Sequence, residues 1–136
     1  MFGTGMYYIC SPLSAPTPEG IRKNMLMARY YMERVSREFG CRVVAPHAYL
    51  PELLDDNVRR ERELGLAFGR VLLGWCEGII VCGDTISSGM AAEIMEARKL
   101  GLPVYLLTET QGTACLTAYG KELGPSYEMQ VLQENL

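Results

Sequence analysis

One histidine, one tryptophan and no C-x-x-C pair stand in a chain of 136 residues, and these scarcities remove whole classes of function. A single imidazole leaves too few ligands for an ordinary zinc site, so no metal is expected. Five cysteines (Cys10, Cys41, Cys76, Cys82, Cys115) are odd in number and widely spaced, and three lie in or beside apolar runs. Free thiols in a reducing compartment are distributed in this way. The 13 basic residues against 16 acidic ones leave a formal charge of −3 and no basic block. Neither a nucleic acid polymer nor an anionic membrane surface is therefore an expected partner, whereas a small nucleotide is compatible, since backbone N–H groups hold phosphate without net positive charge. No apolar run nears the length of a membrane span, and the start "MFGTGMYYICSPLS" lacks the basic region and long apolar segment of a secretory signal. A soluble cytoplasmic protein is the expectation. "GTG" at 3–5 precedes the first strand-like run instead of following it, so it is no dinucleotide fingerprint. A P-loop and a G-x-S-x-G elbow are both missing, and no cofactor is expected.

What is present is an ordinary globular composition, 49% hydrophobic and 21% charged, in a length that suits one domain over residues 1–136. Four short runs, "MYYIC" (6–10), "CRVVAP" (41–46), "GIIVCG" (78–83) and "PVYLLT" (103–108), are rich in β-branched and aromatic residues and nearly continuous in apolar character. Strands buried on both faces of a sheet read this way. Helical patterns separate them. Ile21, Met25, Ala28, Met32, Val35 and Phe39 step by three and four, and "TPEG" marks the start of that helix, with Thr17 as cap and Pro18 at the first helical position. A second helix is predicted from about 58 to 75, with Leu64, Ala67, Phe68, Val71, Leu72 and Trp75 on one face and Asp55 or Asp56 as cap. A third follows "GDTISSG" and ends at Gly101, with Pro103 just beyond.

This alternation predicts an α/β fold: a flavodoxin/Rossmann-like doubly wound parallel sheet of four or five strands, order 2-1-3-4, with helices on both faces. A short fifth strand is placed near "YEMQVL", in a tail (109–136) whose periodicity is weak. Such sheets bind ligands beyond the carboxyl ends of their strands, at the switch point between strands one and three. That rule selects "SPLSAPTPEG" and "GDTISSGMAAE", with "HAYLPELLDDN" after strand two as their neighbour.

Glu93 is the residue in these segments that asks for an explanation. Projected at roughly 100° per residue, it falls on the side of the third helix shared with Met90 and Ile94. A core-facing carboxylate is costly without partners, and this one lies within two turns of a helix N-terminus, which favours an anion. Nucleophilic or general-base work accounts for its place; so, equally, does a salt bridge across the sheet end or a rotated helix. Ser87, Ser88 and Gly89 begin that helix, as caps or as a phosphate or sugar-hydroxyl site. Asp84, at the strand end, suits a ribose hydroxyl, proton exchange with a base, or a simple Asx-turn. Tyr7 and Tyr8 point to opposite faces of strand one, so one belongs to the core while the other can aim its hydroxyl at the crevice beside Glu93. His47, after Pro46, is read as a loop anchor or a proton carrier. "ERELG" (61–65) is read mainly as solvated helix surface, from which an arginine or glutamate could reach a ligand or a second subunit.

"YYICSPLS", "GDTISSGMAAE" and "ARKLGLPVYLL" together resemble the nucleoside 2-deoxyribosyltransferase family and its relatives, the 2'-deoxynucleoside 5'-phosphate N-hydrolases. "APHAYLPELLDDN" and "RERELGLAFGRVLL" further resemble a small bacterial and phage branch of that superfamily, and the likeness spans about 6–108, leaving 109–136 as a tail. It implies an enzyme acting at the N-glycosidic bond of a (deoxy)nucleoside or nucleotide, as transferase or hydrolase, through a glycosyl ester on Glu93. It implies Tyr8 as the tyrosine orienting that nucleophile, Ser87 as a phosphate contact, and Asp84 as the acid handling the base or sugar. Ser11, Ser88, Gly89 and His47 are expected to contact substrate. Ser11 is followed by Pro12 where the hydrolases carry a Gly-Ser pair, so the first phosphate loop is altered. The implied assembly is a homodimer or higher homo-oligomer. The competing reading is a sensor that binds a nucleotide-derived ligand in the same crevice without turnover. A flavin electron carrier fits poorly, because the ligand loops carry mainly Ser, Pro and Gly, with Tyr49 the one aromatic exception.

Overall fold

The computed structural model describes residues 5–119. Strand β1 (Met6–Cys10) leads into helix α1 (Pro18–Phe39) and strand β2 (Arg42–Val44). Two 3-10 turns, Pro46–Ala48 and Leu50–Glu52, precede helix α2 (Arg59–Gly74). Strand β3 (Gly78–Val81), helix α3 (Ser88–Lys99), strand β4 (Val104–Thr110) and strand β5 (Thr113–Ala118) complete the order. The described strands form one sheet in the order β2-β1-β3-β4-β5. The first four are parallel, with Tyr8 opposite Val44 on one side and Ile79 on the other. The Rossmann-like architecture expected from the alternating runs is therefore present.

The two faces of the sheet carry different residues because side chains alternate along each strand. Tyr7 and Ile9 face α1 and join Ala28, Tyr31, Val35, Ile80 and Leu107 in one core. Tyr8 and Cys10 face the other way and join Leu73, Ile79, Val81, Met90, Ile94 and Ala97 beneath α2 and α3. Helix α1 begins as its sequence predicts: the Gly20 N–H donates to Thr17 Oγ1 at 3.1 Å, and Pro18 occupies the first turn.

One expectation needs correction, and two further features were not read from the sequence. The fifth described strand is "TACLTA", antiparallel to β4, closed by a two-residue turn in which Gln111 (φ 46°) and Gly112 (φ 84°) both take positive φ. That is the dihedral pattern of a tight hairpin. The strand proposed near "YEMQVL" lies outside the described residues. Neither Asp55 nor Asp56 caps α2; the Asp55 carboxylate accepts from the Asn57 N–H at 2.9 Å, and the cap position is Val58, which makes no side-chain cap bond. The apolar face read along α2 is largely solvated: Leu64, Phe68, Val71 and Trp75 are 59%, 45%, 51% and 70% exposed. Helix α2 meets the core near its C-terminal end, through Leu73 and partly buried Leu72, and turns a different side toward the carboxyl ends of the strands.

Candidate active site

Beyond the carboxyl ends of β1 and β3, at the topological switch point, lies a cavity of about 450 Å³. Helix α2 and the two 3-10 turns wall it on one side, and the first turns of α3 wall it on the other. Ligand sites of small molecules commonly have this size.

Glu93 opens onto this cavity from α3, and Tyr8 opens onto it from β1. The Tyr8 hydroxyl donates to Glu93 Oε2 at 2.5 Å. Tyr8 is in an interior strand, between β2 and β3, and almost wholly buried, so its phenol is a well-held donor. The Cys10 thiol donates to the Met90 carbonyl at 3.7 Å and is also close enough to stabilise the Glu93 carboxylate. Burial raises the Glu93 pKa above its ordinary value, while the hydrogen bonds from Tyr8 and Cys10 act in the opposite sense. Burial, and then the charge of Glu93, raises the Tyr8 pKa, so the phenol keeps its proton. The result is a shielded carboxylate with one oxygen held by a neutral donor, an arrangement suited to attack on an electrophilic carbon.

Beside this pair, Ser11 Oγ and His47 Nε2 lie 2.6 Å apart. Ser11 follows β1 and is buried; His47 sits in the first 3-10 turn. Burial pushes the His47 imidazole down to about 4 from an ordinary 6.5, so at neutral pH it is an uncharged hydrogen-bonding group. Ser87 caps α3: its Oγ accepts from the Met90 N–H at 3.2 Å. Ser87, Ser88 and Gly89 all line the cavity as well, placing the positive end of the α3 dipole at its rim.

Seven of the eight residues singled out from sequence therefore meet in one cavity: Tyr8, Ser11, His47, Ser87, Ser88, Gly89 and Glu93. The structure does not bring Asp84 to it. The chain turns at Gly83 (φ 103°), and exposed Asp84 lines a separate depression with Tyr31, Thr108 and Glu109. Sequence reasoning missed Gly65 and Gly69, which face the cavity from α2; it read Arg62 mainly as solvated surface from which an arginine could reach a ligand. Arg62 and Arg70 both line the cavity from that helix. The available signal was the i, i+4 spacing of two glycines inside a helix, where glycine is disfavoured. Among the described residues, no group of three or more His, Cys, Asp or Glu side chains is gathered to hold a metal ion, and no helix is long and apolar enough to cross a membrane.

A family model described as "Domain of unknown function (DUF7768)" matches residues 5–107. No curated protein matches the chain. Among solved structures, the 2-deoxyribosyltransferase from the psychrotolerant bacterium Bacillus psychrosaccharolyticus is similar with a TM-score of 0.58 and 21% identity, over 93% of this chain and 82% of that one. At that identity the likeness is one of fold.

Proposed function

The chain belongs to the family described as a domain of unknown function (DUF7768), and we propose that its cavity cleaves or transfers at the N-glycosidic bond of a (deoxy)nucleoside or nucleotide. The observation that carries this reading is Glu93: a carboxylate shielded from bulk water, held at one oxygen by Tyr8 and open on its other side to a ligand-sized cavity. The shared fold with a 2-deoxyribosyltransferase supports the same chemistry. So do the motifs "YYICSPLS" and "GDTISSGMAAE".

In the proposed reaction, a Glu93 oxygen attacks the anomeric carbon, and the carbon–nitrogen bond breaks with its electron pair leaving on the base. The departing base takes up a proton, and the sugar remains as an ester of Glu93. Water then attacks the same carbon and loses a proton, releasing the free sugar; a second base attacking in place of water gives transfer. Tyr8 orients Glu93 and stabilises its charge before attack. Neutral His47, joined to Ser11, binds and orients ligand and is not the proton source at neutral pH. Ser87, Ser88 and Gly89 hold a sugar hydroxyl or a phosphate at the α3 N-terminus. Asp84 has no part in this scheme.

We further propose that the protein acts as a homo-oligomer, with a second copy covering the exposed apolar stripe of α2. The test of function is to incubate the protein with deoxynucleosides, deoxynucleoside 5'-monophosphates and ribose counterparts, with and without a second free base, beside Glu93→Gln. Release or exchange of base that disappears in Glu93→Gln is the expected result. Thermal stabilisation by one of these compounds without any turnover would replace this reading with that of a binding module.

A further inference from the structure

Helix α2 carries three glycines, Gly65, Gly69 and Gly74, although glycine is a poor helix former. None of them takes a positive φ, so backbone conformation does not require any of them. Their surroundings differ. A Cβ on Gly74 would meet nothing within 4 Å, and one on Gly65 would make an ordinary contact with Leu54 Cδ1 at 3.6 Å. A Cβ on Gly69 would lie 3.3 Å from the Tyr8 hydroxyl, with no other described atom beyond its own helical turn within 4 Å. That spacing is tighter than nine in ten real Cβ contacts, so a neighbour must yield by a few tenths of an ångström. The atom in the way is the same oxygen that donates to Glu93 at 2.5 Å.

We infer that Gly69 is a positioning residue for the Tyr8–Glu93 pair, its missing side chain leaving the Tyr8 hydroxyl the room it needs to bind the carboxylate. The significance for catalysis rests on the proposed role of Glu93; the positioning itself does not. The Tyr8 ring carries its oxygen rigidly, so bulk added at position 69 is accommodated by a tilt of the ring or a shift of α2, either of which changes the seat of the hydroxyl on Glu93. Displacing that hydroxyl weakens a donor that favours the ionised form of Glu93, and the carboxyl then titrates at higher pH. Other groups face the same space. Cys10 is the second donor to Glu93, and uncharged His47 approaches from the 3-10 turn. Arg62 and Arg70 from α2, Asp56 before it and Glu96 from α3 also line the cavity. An alanine at position 69 alters the charge of none of these, so they are a constant background in the comparison.

The experiment is a carbon-13 NMR titration of the Glu93 carboxyl in glutamate-labelled protein, assigned by its disappearance in Glu93→Gln. Wild type, Gly69→Ala, Gly74→Ala, Tyr8→Phe and Tyr8→Phe/Gly69→Ala are compared, each with a thermal melt. The expected result is an upward shift in Gly69→Ala, smaller than that in Tyr8→Phe, with the Gly74→Ala value at that of wild type. The double variant should titrate as Tyr8→Phe alone. A Gly69→Ala midpoint equal to wild type overturns the inference. A Gly69→Ala shift that persists in full without the Tyr8 hydroxyl also overturns it, because position 69 would then act on Glu93 directly. Loss of the fold in Gly69→Ala counts against it too, since more than one hydroxyl would stand in the way. If wild type turns nothing over, the proposed glycosyl chemistry fails while the titration remains readable. If it does turn substrate over, Gly69→Ala should lower kcat and leave KM nearly unchanged.

Discussion

The Tyr8 hydroxyl and Glu93 Oε2, 85 positions apart in sequence, are joined by a 2.5 Å hydrogen bond between interior strand β1 and helix α3. A phenol donating to a carboxylate there does two things: it lowers the cost of the buried charge and it aims the free oxygen at the cavity. A hydrogen bond to a charged group contributes about 1.5–3 kcal/mol, so Tyr8→Phe should reduce turnover roughly 10- to 100-fold. The pH profile supplies a second readout. Attack needs the ionised carboxylate, so activity rises with pH through the Glu93 pKa, which burial places above the ordinary carboxylate range. Removing the Tyr8 donor removes a lowering influence, so the acid limb should move to higher pH in Tyr8→Phe. An unmoved acid limb would mean that Tyr8 does not act through Glu93.

His47 makes stability depend on acidity in a defined window. Its imidazole is held near 4 in the folded state against about 6.5 unfolded, so between these values the unfolded chain binds the extra proton. The contribution is therefore fully present above pH 6.5 and is lost as pH falls through about 4, amounting to roughly 3 kcal/mol in all. Urea melts of wild type and His47→Asn at pH 7, 6, 5 and 4 isolate it from the carboxylates, which titrate in both proteins. The wild-type curve should fall more steeply on acidification. Parallel curves would show that His47 is accessible to protons in the folded protein.

Ser87 carries a structural duty that can be measured apart from any ligand. Its Oγ satisfies the Met90 N–H in the first turn of α3, and loss of such a cap costs about 1 kcal/mol. Ser87→Ala should lose that much in denaturant melts, while Ser87→Thr, which keeps a hydroxyl acceptor, should recover most of it. An alanine variant as stable as wild type would show that the cap bond contributes nothing net.

The parallel sheet was legible because β1, β3 and β4 are apolar enough to be read as buried strands, and the rule of the switch point then located the cavity. Glu93 was legible from helical phase, and the separation of Tyr7 from Tyr8 from the alternation of a strand. Phase cannot say where a loop goes after its strand ends. The chain turns at Gly83, where φ is positive, and Asp84 lies toward α1 and away from the cavity; "GD" marks a turn but not the direction it takes. Nor does an amphipathic pattern say which side of a helix meets the core. In α2 the apolar stripe drew attention, while the side that meets the cavity presents Gly65 and Gly69, residues that offer no hydrophobic signal.

That stripe gives the remaining prediction. Leu64, Phe68, Val71 and Trp75 step by four, three and four along α2, and all are well exposed. At roughly 100° per residue the stripe centres about 90° from Gly65, about 130° from Gly69 and about 170° from Leu73, so the cavity can stay open while the stripe is covered. A contiguous apolar stripe on an exposed helix marks a surface buried elsewhere, and a second copy placed about a two-fold axis would set stripe against stripe. Light scattering should therefore give a mass at least about twice the 15.2 kDa of one chain. Phe68→Lys with Trp75→Lys should return it to that of one chain, with the fold intact, because neither side chain contributes to the core. A wild-type protein that is monomeric at micromolar concentration would sink this assignment and leave the stripe without an occupant.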